Sequence, residues 1–181
     1  WTGLRPLIHE EGKSASEISR KDEVWISDSG LITIAGGKLT GYRKMAEMVV
    51  DLINKQFVKE TGKNYGKSKT KNMPISGGDV GGSHNFPSYM KKKVKEGMKL
   101  GFTEETATKL SSMYGSNVDK LYAIAATDAG QAKKAGLPLD VYAQVVYALK
   151  EEMTATPADF FIRRTGALFF DIAWVVNWKT K

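Results

Sequence analysis

The sequence contains no cysteine and only two histidines among its 181 residues. The lack of cysteine excludes disulfide bonds, thiol nucleophiles and sulfur-ligated zinc, and it is typical of a cytoplasmic protein. The two histidines, His9 and His84, lie in polar, loop-like stretches, and no carboxylate lies at a spacing that would indicate a catalytic pair. We therefore predict that both are surface residues, that no metal is bound, and that this chain supplies no general base.

Long hydrophobic runs are also missing. No apolar stretch approaches the roughly 20 residues that a helix needs to cross a bilayer, so no transmembrane segment is predicted. A peripheral contact with a membrane surface stays open.

The positive charge is concentrated in one part of the chain. The formal net charge is +7. Between Lys55 and Lys99, eleven lysines against three acidic residues give +8, so the rest of the chain is nearly neutral at −1. This stretch has no arginine, and its aromatic residues do not alternate with the lysines as they do in a base-stacking surface. Residues 61–88 are rich in glycine and poor in apolar side chains. We interpret residues 59–88 as a flexible, solvated insertion and expect no nucleic acid as a partner.

A pair of glycines between a predicted strand and a predicted helix is the most informative local feature. Residues 31–35 read as a strand, Gly36 and Gly37 follow, and a helical pattern begins directly after Lys38. Such a turn lets a ligand approach the backbone, and the first N–H groups of the helix have no partner within the helix. The helix dipole and the lysine add positive charge at the same place. The turn is therefore a candidate anion-binding site.

The periodicity predicts an α+β fold in three parts. Residues 24–26 and 31–35 read as a β-hairpin or as two strands of a sheet, with a positive φ at Gly30 in the turn between them. A helix follows, and its apolar side chains share one face: Met45, Val49, Leu52, Ile53 and Phe57. We predict a strand–turn–helix piece over residues 1–58, the insertion over 59–88 and a mostly α-helical domain over 89–181.

Capping signals place the helices of the last part. Thr103 precedes two glutamates and should cap a helix, and a further helix should open at residue 116 or 117 and run through Thr127. Thr156 followed by Pro157 should start the last helix, which we expect to bury Phe160, Phe161 and residues 167–170. Two neighbouring arginines are expected to form structural ion pairs with nearby acids: Arg163 and Arg164 with Glu151, Glu152 and Asp159.

Two blocks of the sequence resemble one family. The first combines Arg5 in Gly3-Leu4-Arg5-Pro6, Arg20 in residues 17–22, and the run Leu31-Ile32-Thr33-Ile34-Ala35-Gly36-Gly37-Lys38-Leu39-Thr40. The second is the run from Glu151 to Thr165. Both are similar to the C-terminal part of the flavin-dependent glycerol-3-phosphate dehydrogenase and oxidase family, and within it to the α-glycerophosphate oxidases. The resemblance extends from Trp1 to about Asp171.

The resemblance implies a reaction, a cofactor and site residues. It implies oxidation of sn-glycerol 3-phosphate to dihydroxyacetone phosphate by hydride transfer to FAD, with oxygen as the acceptor and H2O2 as the product, or with a quinone instead. Arg5, Arg20 and Lys38 match the substrate-binding residues, and Arg5 also matches a catalytic role. The segment against the flavin corresponds to Gly36, Gly37, Lys38, Leu39 and Thr40. Gly41 departs from the family pattern, in which a second threonine is common.

Three hypotheses remain at the level of sequence. The chain opens without an initiator methionine and has no Gly-x-Gly-x-x-Gly motif, so we expect a cytoplasmic enzyme fragment that is inactive alone. The alternatives are a stand-alone basic module that binds nucleic acid and a structural helical module without a ligand. The sequence carries no sign of an oligomeric state.

Overall fold

The computed structural model describes residues 8, 11–14 and 22–180, and the chain divides into two compact units, Trp1–Met73 and Pro74–Lys181. The first unit contains two antiparallel strands, β1 (Glu23–Ile26) and β2 (Ile32–Ala35), with Val24 opposite Ile34. Gly30 closes the connecting turn at φ +83°, and its N–H donates to the carbonyl of Ser27 over 2.8 Å. The predicted hairpin and its glycine are confirmed.

The helix α1 (Tyr42–Thr61) follows the hairpin and ends at Gly62, which adopts a left-handed conformation. The N–H of Gly62 donates to the carbonyl of Val58 over 3.0 Å, as is usual where a helix stops at glycine. Four residues of the predicted apolar face are half-buried, whereas Phe57 is 40% exposed. No residue of β1, β2 or α1 is buried, so the described part of this unit has no closed core.

The chain after α1 folds back beside the helix. The Asn54 side chain donates to Asn64 Oδ1 over 3.0 Å and accepts from the N–H of Tyr65 over 2.9 Å. The Tyr65 ring meets Phe57 edge-on at 5.8 Å between centroids. Apart from a 3-10 turn at Thr70–Asn72, the backbone of residues 62–73 is irregular.

Trypsin is expected to cut within residues 63–71 before it cuts in the helix that follows. Lys63, Lys67, Lys69 and Lys71 are exposed on irregular backbone, where a protease can bind an extended segment. The lysines of residues 91–95 are equally dense but helical and serve as the internal comparison. Mass spectrometry of the earliest fragments checks this order, and first cuts in residues 91–95 would contradict the predicted flexible insertion.

The second unit is a helical domain to which the preceding loop is fastened. The Gly77 carbonyl accepts from the N–H of Ser116 over 2.9 Å, and Asn117 Nδ2 donates to Ser76 Oγ over 2.8 Å. The helical elements in chain order are α2 (Phe86–Lys99), α3 (Glu104–Tyr114), α4 (Val118–Lys134), α5 (Leu139–Glu151), a π-helical turn (Asp159–Arg164), α6 (Ala167–Phe170) and α7 (Ile172–Trp178).

The predicted helix starts are confirmed, and one predicted end is wrong. Thr103 Oγ1 accepts from the N–H of Thr106 over 3.1 Å and caps α3. The next helix does not stop at Thr127. It bends at Asp128, where φ is −108° and ψ is 17°, and continues to Lys134.

The core lies among α2, α3, α4 and α5. Its first cluster is formed by Leu110, Tyr114, Val118, Leu121, Tyr122 and Tyr147. Lys93 is only 7% exposed at its edge and pairs with Glu96 at 2.7 Å and Asp119 at 2.5 Å. One lysine of the basic stretch is thus part of the packed domain, because both of its partners compensate its charge.

The predicted last helix is wrong in its second half. Phe160 and Phe161 are buried, but the helix ends before Gly166, which takes φ +64°. Thr165 Oγ1 donates to the Phe160 carbonyl over 2.9 Å and helps to end the turn. Beyond Gly166, Ala167 is buried as predicted, whereas Leu168, Phe169 and Phe170 are 39%, 53% and 83% exposed.

The fold class is confirmed as a mostly helical protein with a two-stranded antiparallel sheet near its N-terminus. Within residues 8, 11–14 and 22–180, no helix has the length and apolar character that crossing a membrane requires.

Candidate functional site

The two glycines after β2 are followed by a single 3-10 turn before α1 begins. Gly36 and Gly37 take φ +85° and +77°, a region that other residues enter only with strain. Lys38 is extended, and one 3-10 turn, Leu39–Gly41, precedes α1. The prediction that the glycines lead directly into the α-helix is therefore corrected by this one turn.

Three backbone donors at the turn are unused within the described residues. The N–H of Gly41 donates to the Lys38 carbonyl over 2.8 Å, and that of Tyr42 donates to Leu39. The N–H groups of Lys38, Leu39 and Thr40 have no partner in that part of the chain. Because these donors precede the N-terminus of a helix, they can bind a negatively charged group.

Gly37 also brings the turn close to α1. A Cβ atom at this position would lie 2.5 Å from Met45 Sδ and 3.4 Å from Asp22 Cβ. A larger residue would be strained by the left-handed backbone, and the flexible end of the Met45 side chain would have to move aside. The positive φ therefore favours glycine at this position.

An open cavity of about 510 Å³ lies over the turn and the first half of α1. Its walls are mainly apolar, and the lysine ammonium is the only charged group among the described lining residues. The lining residues are Ile34, Gly36, Gly37, Lys38, Leu39, Tyr42, Met45, Ala46, Val49 and Val50.

Lys38 is the available cation at this cavity. It makes no hydrogen bond or ion pair within the described residues. Arg43 and Lys44 lie close in sequence, but both bind Glu47, and the arginine contact measures 2.6 Å. Hydrogen bonds from Lys44 and then Arg43 lower the pKa of Glu47 to about 2. This carboxylate stays ionised at neutral pH, so it continues to compensate both cations.

The structure does not describe every residue that the sequence predicted for a site. Arg5, Arg20 and His9 lie outside the described residues, while His84 is exposed as predicted. No group of three His, Cys, Asp or Glu residues that could hold a metal occurs in the part of the chain that the structure describes.

Structural ion pairing of the two C-terminal arginines is confirmed for Asp159 and Glu152, whereas Glu151 pairs with Lys120 instead. Arg163 Nη1 lies 2.6 Å from Asp159 Oδ1, and Arg164 Nε lies 3.9 Å from Glu152 Oε2 and donates to the Glu152 carbonyl over 2.8 Å. Hydrogen bonds from the Thr156 hydroxyl and from the N–H groups of residues 155 and 156 lower the pKa of Asp159. These arginines fix the start of the π-helical turn, so they are engaged in holding the fold.

The apolar wall of the cavity was not predicted as part of a site. Tyr42 is 56% exposed and lines the cavity together with Met45 and Val49. The spacing of these residues by three and four along α1 is a helical face, and this signal was available in the sequence.

The fold is a strand–turn–helix piece followed by a helical domain, and the family follows from comparison. Residues 68–181 match the C-terminal domain of alpha-glycerophosphate oxidase, and the chain belongs to this family. The resemblance inferred from the sequence is thereby confirmed.

Relatives of greater length match nearly the whole chain. The aerobic glycerol-3-phosphate dehydrogenase of Bacillus subtilis is 59% identical over 179 residues, 99% of this chain and 32% of the relative. The enzyme of that name from Staphylococcus saprophyticus is 54% identical over the same share. The chain thus spans about a third of the length of these relatives.

A solved structure is also similar. The glycerol-3-phosphate dehydrogenase of Bacillus halodurans, crystallised in complex with FAD, matches with a TM-score of 0.79 and 44% identity. The match covers 87% of this chain and 31% of that protein.

Proposed function

We propose that the chain is the C-terminal part of an FAD-dependent enzyme that oxidises sn-glycerol 3-phosphate to dihydroxyacetone phosphate. The observation that carries this proposal is the 59% identity to an aerobic glycerol-3-phosphate dehydrogenase across 99% of the chain. The match covers the glycine turn as well as the helical domain, which supports the proposal. The lack of cysteine agrees with a cytoplasmic location.

The glycine turn fits one edge of a flavin. The unused N–H groups of Lys38, Leu39 and Thr40 can donate to carbonyl or anionic atoms, and Gly36 and Gly37 leave room for a planar ring. The apolar wall along α1 suits an aromatic surface. FAD, when bound, supplies the acceptor for the hydride removed from C2 of the substrate.

Three cations hold the substrate in this proposal. Lys38 contributes a charge that no described acid compensates, and Arg5 and Arg20 contribute planar forks that suit a phosphate dianion. Arg5 also polarises the reacting oxygen, which makes it the catalytic residue of the three. The general base comes from outside this chain.

Oxygen is the proposed electron acceptor, with H2O2 as the product. The family match to the domain of an oxidase supports oxygen, although the longer relatives carry the name dehydrogenase. A peroxide assay during turnover tests this part, since transfer of electrons to a quinone would yield no peroxide.

A chimera tests the proposed function. The chain replaces the matching 179 residues of the Bacillus subtilis relative, and bound FAD and oxidation of glycerol 3-phosphate are measured. We expect the chimera to hold FAD and to be active, and the 181-residue chain alone to do neither, because a complete dinucleotide site needs its pyrophosphate-binding turn. The relative without those residues is the control. A flavin-loaded isolated chain, or a folded chimera without activity, would contradict the proposal.

A further inference from the structure

The helical unit contains a second cavity, of about 260 Å³, between α5, the π-helical turn and the end of α7. None of its lining residues belongs to the glycine turn. Valines from α5 form one wall and three aromatic rings form the others. The residues that define its shape are Val141, Val145, Phe160, Phe161 and Trp178, with Lys179 beside the last ring.

Hydrogen bonds between backbone groups and the side chains of Asp159 and Arg164 fix the rim of this cavity. Asp159 Oδ2 accepts from the N–H groups of Ala155 and Thr156 over 3.2 and 2.9 Å. Arg164 Nε ties the other side of the turn to the Glu152 carbonyl over 2.8 Å. These charge-assisted contacts hold the backbone at the rim of the cavity in place.

The charge at the cavity is positive. Lys179 is the only charged residue among its described lining residues, and it has no ion pair within the described chain. Every carboxylate of residues 151–159 is already compensated by a cation: Glu151 by Lys120, Glu152 by Arg164, and Asp159 by Arg163. An anion that enters this cavity therefore meets one free ammonium group and no free carboxylate from that segment.

We propose that this cavity binds a small amphipathic carboxylate, with its alkyl chain between α5 and the aromatic rings and its carboxylate at Lys179. A dry cavity of about 150 Å³ is enough to bind benzene, so 260 Å³ accommodates a chain of roughly eight carbons. The apolar lining provides the affinity, and the ammonium selects an acid over an amine of the same length.

Calorimetry with octanoate and octylammonium tests the proposal on the 181-residue chain. We expect one octanoate per chain with a dissociation constant on the order of 0.1 mM, and octylammonium bound at least about tenfold more weakly. No saturable binding of octanoate would overturn the proposal. Equal affinity for the two ligands would also overturn it, because a purely apolar cavity does not distinguish them.

Two pairs of variants locate the site. Lys179→Gln is expected to weaken octanoate about threefold to tenfold, whereas Lys150→Gln, an exposed lysine that does not line the cavity, should change nothing. Ala155→Phe fills the cavity from its exposed rim and should abolish binding, while Ala158→Phe, also exposed but outside the lining, should not. Unchanged octanoate binding in Ala155→Phe would overturn the assignment. The comparison of the two ligands needs no variant and decides the matter if Ala155→Phe fails to fold.

Discussion

Replacing Gly115 with alanine is expected to lower the free energy of unfolding of the helical unit by about 3 kcal/mol or more. Gly115 has φ +54° and ψ −130°, and a Cβ atom there would lie 2.1 Å from the carbonyl oxygen of Gly77. The backbone strain alone costs on the order of 1–3 kcal/mol. The loop must also move, which breaks the 2.9 Å hydrogen bond between the Ser116 N–H and that carbonyl. Urea unfolding followed by circular dichroism measures the loss.

Gly136 provides the matched control for this substitution. It also has a positive φ, +65°, but a Cβ atom there would meet nothing within 4 Å. Gly136→Ala should therefore lose only the strain, on the order of 1 kcal/mol. The two variants differ by the contact between Gly115 and Gly77 and by the additional strain of the Gly115 backbone, whose ψ is −130°. Equal losses would show that this contact does not fasten the loop to the helices.

Replacing Lys38 with alanine in the chimera is expected to raise KM for glycerol 3-phosphate roughly tenfold to a hundredfold, with bound FAD unchanged. A charge-assisted contact to phosphate is worth on the order of 1.5–3 kcal/mol, which corresponds to that change. The flavin stays because the turn would hold it through backbone N–H groups. Arg20→Ala should behave alike, whereas Arg5→Ala should also lower kcat. Arg5→Lys should restore part of the loss, since an ammonium lacks the bidentate fork.

Lys44 is the control for general loss of charge near the turn. It lies on the first turn of α1 and is bound to Glu47, so Lys44→Ala should leave KM within about twofold of the unchanged chimera. Steady-state kinetics on all variants decides the outcome. Unchanged KM and kcat for Lys38→Ala, Arg20→Ala and Arg5→Ala would reject these residues as the substrate site.

Local signals in the sequence predicted the elements that position the site. The positive φ at Gly30, the two glycines after β2 and the hydroxyl of Thr103 each act within about four residues of their own position. A cap or a turn is decided over that distance, so a single sequence is enough to predict it. One prediction nevertheless failed on a local signal. The last predicted helix reads as continuous, yet Gly166 and the Thr165 hydroxyl end it after one π-helical turn.

The sequence by itself determined the hairpin, the glycine turn, the family resemblance and the helical character of the C-terminal unit. The pairs of Arg43 and Lys44 with Glu47 span four and three residues on α1, so helical spacing alone accounts for them. Only the tertiary structure decided that Lys93 meets Asp119 of α4 and that the face of α1 that includes Tyr42 lines a cavity. Residue type and spacing define what a side chain can do, but its partners depend on which segments of the chain fold against it.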